Sequence, residues 1–182
     1  MALPHERCAP GEVCCTSLFD VACTIRDVAI AAVEGCSVVD CDLPGLASYV
    51  SMGQQIADPE ADFLVVSMTS IAPAPSSADR TGNMIQPLFR ATFQVKLLET
   101  GWPQPYGDGE EILVPSPMLV ENVTRHSMAH GEAMYRALGN ALTRRMLTPD
   151  PSCFQRIEPL QPIEPSGGTT GWITFITVDA FQ

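Results

Sequence analysis

The first residues in this chain that could do chemistry are two histidines four positions apart. His126-x3-His130 sets two imidazoles on one face of a helix, where they could hold a metal. A zincin-type site needs glutamate directly after the first histidine, and Ser127 stands there; Glu132 lies two positions beyond His130. No third ligand is evident nearby, so histidines on a helix surface or at an interface are the stronger reading. The seven cysteines are 8, 14, 15, 23, 36, 41 and 153. Cys36-x4-Cys41 and the Cys14-Cys15 pair do not have zinc-knuckle or ribbon spacing. Buried small hydrophobes or free thiols are expected, with a metal site or late-formed disulfides as the alternatives. Gly167-Gly168-x-x-Gly171 has no Lys-Ser/Thr pair and leads into a strand, whereas a phosphate loop opens a helix. It reads as a turn that permits positive φ and close backbone approach. There is no Gly-x-Ser-x-Gly elbow, no supported Cys-His pairing and no assignable carboxylate pair. No catalytic, cofactor-binding or metal-binding residue is assigned, no cofactor is expected, and the chain does not read as an enzyme.

These residues sit on a simple succession of elements. Residues 1–15 read as a flexible N-terminal arm or a frayed terminus. Thr16 or Ser17 can cap a first helix whose apolar line is Leu18, Ala22, Ile25, Ala29 and Ala32, stopped at Gly35. Residues 36–60 are ambiguous: Cys36–Val39 could be a short strand, and Ala47–Met52 shows no clean period. Asp62–Ile71 is a strand, followed by a long loop at 72–87 rich in Pro, Ser, Ala and Gly. Leu88–Leu98 alternates most cleanly. Phe89, Ala91, Phe93, Val95 and Leu97 face inward, and Arg90, Thr92, Gln94 and Lys96 face outward. A second loop at 99–115 carries Trp102 and Tyr106, which are interface anchors or fold back over the domain. Ser116 and Pro117 open the longest helix, which is expected to end near Thr148-Pro149. Phe154–Leu160 can form a hairpin with the final strand through a connection at 161–166. That final strand sends Trp172, Thr174, Ile176, Val178 and Ala180 one way and Ile173, Phe175, Thr177, Asp179 and Phe181 the other.

The totals bound the function. With 182 residues, one domain over 16–182 with a real core is expected. Apolar residues are 46% and charged residues only 17%, which leaves little charge for a fully wetted surface and suits buried interfaces in an oligomer. The net charge of −11 argues against a nucleic-acid clamp and against anionic membranes. The first 62 residues hold ten acidic side chains against Arg7 and Arg26, the strongest acidic field in the chain. No run of about 18 apolar residues occurs. The start, Met1–Arg7, lacks the basic and apolar segments of a signal peptide, so assembly in the cytoplasm is expected.

The C-terminal pattern is the most specific feature. Ile157-Glu158-Pro159-Leu160, then Glu164-Pro165-Ser166-Gly167-Gly168-Thr169-Thr170-Gly171-Trp172 and an apolar last strand, resembles the tail terminator and neck (head-to-tail joining) proteins of long-tailed bacteriophages, those of actinobacteria among them. The layout over 16–181 is similar too: an early helix, an alternating central strand, a long loop and a late helix through Ala137-Leu138-x-x-Ala141-Leu142. Thr169-Thr170 stands where the group's pattern often has a cysteine. The resemblance implies an α+β fold, a mainly antiparallel β-sheet packed against two principal helices in one tail-terminator-like domain. It also implies a virion protein without catalysis: a homohexameric ring on the tail tube that stops tube growth and meets the connector or stopper protein of the head. DNA would pass through its lumen without specific binding, and negative walls suit that passage. Under it the interface candidates are Trp102, Tyr106, Arg90, Lys96 and Trp172. The alternatives are a head completion or stopper adaptor, a tail tube protein and, in a different class, a soluble metal-dependent enzyme or a small binding module.

Overall fold

The computed structural model describes residues 18–36, 46–52, 62–73, 89–103, 114–147, 155–166 and 168–180. The elements run α1 (Leu18–Glu34), β1 (Ala47–Met52), β2 (Phe63–Pro73), β3 (Phe89–Thr100), α2 (Pro117–Thr143), β4 (Gln155–Ile157), β5 (Gln161–Ser166) and β6 (Thr169–Ala180). They make an α+β fold in which both helices pack on one face of a mixed sheet that does not close into a barrel. The expected arm at 1–15 and Tyr106 lie outside the described residues, as do most of the expected loops at 72–87 and 99–115. Where they are described, Ala72 and Pro73 finish β2, and Glu99 and Thr100 finish β3 rather than opening a loop.

The sheet order is β1-β2-β3-β6-β4, with β5 also on β6. β3 lies antiparallel between β2 and β6, with Val95 opposite both Val66 and Thr174. β1 runs parallel to β2, Ala47 opposite Phe63, so a segment without periodicity is a strand and the sheet is not wholly antiparallel. The expected hairpin is more than a hairpin. β4 pairs with residues 176–178 and β5 with residues 169–173, so the two line one flank of β6 in succession. The expected connection at 161–166 is therefore strand, despite Pro162 and Pro165. Proline lacks a ladder donor, and a flanking strand is where that loss is tolerated.

Alternation decides what the helices cover. Ala91, Phe93, Val95 and Leu97 are fully buried on one face of β3, beside Leu64 and Val66 of β2 and Ile176 and Val178 of β6. Val21, Ala22, Ile25, Ala29 and Val33 of α1, and Met134, Leu138 and Ala141 of α2, close over them. The opposite face also carries burial that simple alternation does not predict: Phe63, Val65, Ser67 and Gln94 are all nearly inaccessible. Ser51 and Ser67 share a hydrogen bond there at 2.7 Å, and the Tyr49 and Phe63 rings stack 6.3 Å apart.

Both helix ends have identifiable causes. Ser116 caps α2 by accepting from the Leu119 amide at 3.3 Å, with Pro117 directly after it. The helix stops at Thr143, short of the expected 148. Arg145 takes a left-handed φ of 56°, its amide bonds the Leu142 carbonyl, and the Met146 amide bonds the Ala141 carbonyl. That is a Schellman arrangement with arginine where glycine is usual, and the buried Leu147 follows it into the core.

Candidate functional site

Where α2 crosses the ends of β3 and β6, four polar side chains meet inside the protein. Glu99 is the next residue in the inward series of β3, one step past Leu97. Its Oε2 accepts from Ser127 Oγ at 2.5 Å, and its Oε1 lies 2.5 Å from His130 Nδ1. A carboxylate can only accept, so Nδ1 carries the hydrogen in that contact. Trp172, the first inward side chain after Gly171 on β6, donates its indole Nε1–H to Ser127 O at 2.7 Å and to Ser127 Oγ at 3.0 Å. The glutamate, serine and histidine are all buried. These hydrogen bonds tie α2 to the sheet at a fixed register.

Two glycines make that meeting possible. A Cβ at Gly131 would stand 2.7 Å from three atoms of the Trp172 indole, so only glycine lets the ring lie against α2. A Cβ at Gly171 would stand 2.0 Å from the Leu97 carbonyl oxygen, and its φ of +156° is unfavourable for other residues. The close-approach role expected of the glycine turn thus falls on Gly171, and Gly168 supplies the positive φ of the turn itself.

This cluster contains serine, histidine and a carboxylate, but not in an order that activates a nucleophile. A working serine gives its proton to a histidine that the carboxylate orients. Here serine and histidine both serve the same carboxylate, and the serine oxygen also accepts from tryptophan. Glu99, Ser127 and His130 are buried, and Trp172 is half-buried beside them. The arrangement is a brace between α2 and the sheet.

His126 and His130 therefore part company. His126 is half-buried, whereas His130 is turned inward onto Glu99 and is not a surface histidine. Among the described residues no three His, Cys, Asp or Glu side chains gather as a metal site, and Cys23 and Cys36 are free thiols. Among them, too, no helix is long and apolar enough to cross a membrane.

The interface candidates are scattered. Arg90 and Asp179 face each other across β3 and β6 on the side away from the helices, bonded through both nitrogens at 2.7 and 3.0 Å. Hydrogen bonding to Asp179 holds the Arg90 guanidinium above its ordinary pKa. A raised pKa in a cation means its contribution is complete below the ordinary arginine value and lost only as pH rises through the raised one, so the contribution of Arg90 does not change near neutrality. Lys96 is half-buried on the same face, opposite Ile173. Trp102 is half-buried, its backbone amide bonded to the Gly168 carbonyl at 2.9 Å. Trp172 is committed to the brace.

A surface feature lies at the other end of α2. An open groove of about 720 Å³ runs between the helix and β4, with Tyr135, Arg136, Asn140 and Thr143 on one wall and Arg156 and Ile157 on the other. Arg136 also pairs with Glu132 along the helix. The groove has room and charge to receive a protein segment or an anionic group, and no side chain in it is placed as a nucleophile. No protein-family model matches the chain, and a search of curated proteins gives no match.

Proposed function

We propose that the chain is a structural virion protein, a ring at the top of a phage tail tube that ends tube growth and joins the tail to the head connector. One observation carries the reading: the sheet is open and its two flanks differ, β1 with α1 on one side, β4 and β5 with α2 on the other. Two unlike flanks give each copy the two different surfaces that a heterologous contact uses, and such contacts make a ring where the rotation closes. The Pro-Ser-Gly-Gly-Thr-Thr-Gly-Trp run and the strand after it support the tail-terminator assignment by resemblance. The polar brace supports it as well, because its serine, histidine and glutamate are consumed in holding the fold. The acidic balance suits a lumen through which DNA slides.

The test is electron microscopy with symmetry analysis of the purified protein, alone and mixed with the tube protein. A sixfold ring seated on tube ends is the expected result. A twelvefold ring would turn the reading toward a head completion or stopper adaptor, and self-assembly into long hollow tubes toward a tube subunit. A monomer that joins neither ring nor tube would overturn it.

A further inference from the structure

The chain carries its charge unevenly, and the unevenness follows the two flanks. On α1, Asp20, Asp27 and Glu34 are all exposed and fall seven residues apart. Seven residues is close to two helical turns, so they form one acidic stripe, roughly 20 Å long at 1.5 Å per residue. Arg26 is the one base on that helix and pairs with Asp27 at 2.7 Å. The other flank holds most of the bases. Residues 125–156 carry five of the chain's ten basic side chains, against Glu132 and Asp150, with Glu121, Glu158 and Glu164 on either side of that stretch. Arg136, paired with Glu132, and Arg156 line the groove between α2 and β4, and Arg144 and Arg145 stand exposed where α2 ends. In a chain of net charge −11, this group of arginines is a local departure from the acidic balance.

We propose that copies of this chain dock head to tail, with the acidic stripe of α1 seated against the arginine-walled groove between α2 and β4 of the next copy. The inference rests on the ring reading and names the surfaces that make the ring. Charge complementarity selects the occupant: like flanks repel, and the unlike pair brings carboxylates onto guanidinium groups, the geometry arginine serves best. Each copy then offers one surface to the copy before it and the other to the copy after it, whereas a two-fold pairing would need stripe and groove in one self-complementary patch.

The test is a charge swap read by sedimentation and negative-stain microscopy of the full chain. Arg136→Glu with Arg156→Glu makes both flanks acidic and is expected to weaken self-association by about tenfold or more. Asp20→Lys with Glu34→Lys makes both flanks basic and is expected to do the same. An equimolar mixture of the two variants presents only unlike flanks, so rings of alternating copies are expected to return. Wild-type association should also weaken between low salt and 0.5 M NaCl, a reading that needs no variant to fold. Rings that ignore the reversals, or association indifferent to salt, would overturn the inference and leave the ring itself standing. Restored rings that do not cap tubes would leave the inference standing and overturn termination. A wild-type monomer at every concentration would overturn both.

Discussion

From Ser127 onward, α2 buries Ser127, His130, Gly131, Met134, Leu138 and Ala141 against α1 and the sheet; from Pro117 to His126 it buries no residue. Cys36 Sγ reaches the Ala129 carbonyl at 3.7 Å, so α1 ends beside the middle of α2 and the first turns stand past it. The packed half follows from the core. Its apolar residues recur at helical spacing and meet Phe93, Leu97 and Ile176. The first half has Val114, Met118 and Leu119 exposed near its start, and β-branched Val120, Val123 and Thr124 that favour helix only weakly. Packing does not demand those turns. They are held by continuity with the second half and by the Ser116 cap.

The contrast can be broken most forcefully in the packed half. Leu138→Ala opens a cavity at a fully buried site and is expected to cost about 3 kcal/mol, read by chemical denaturation. Glu99→Leu should cost about 2–3 kcal/mol, because it strips Ser127 and His130 of their shared acceptor inside the protein. Glu99→Gln retains an acceptor and should cost less; equal losses for the two would mean that the brace contributes only its volume. Gly131→Ala should cost about 2 kcal/mol and shift Trp172 fluorescence, since the new methyl meets the indole face. Unchanged emission would place the ring elsewhere.

The sequence made the frame of this seam legible but not its centre. Ser116-Pro117 announced the start of α2, and the alternation through Leu97 put the core on the correct face of β3. The same alternation, carried two residues further, sends Glu99 inward, and the apolar line of α2 runs through His130. Two polar groups on inward lines must be partnered, and that was the available signal. The pair is 31 residues apart in sequence and joins only when the helix lies on the sheet, so neither group names its partner locally. β5 was hidden by its own prolines, which argue against a central strand but not against a flanking one. The parallel entry of β1 left no periodic trace, since Ser48, Tyr49, Val50 and Ser51 are half-buried alike.

The smallest expected effect sharpens the comparison best. Ser116→Ala removes the side-chain acceptor from the Leu119 amide in turns that bury no residue fully. Loss of an N-cap costs up to about 1 kcal/mol when the helix end is coupled to global folding. Here the end can fray without uncovering Met134 or Leu138, so the global midpoint should move by less than about 0.5 kcal/mol. Amide exchange should report the loss instead: protection of 118–123 falls, while protection of 130–141 holds. A midpoint loss of the full cap value would mean that the two halves of α2 unfold as one unit. In that case the first half would belong to the fold's own stability.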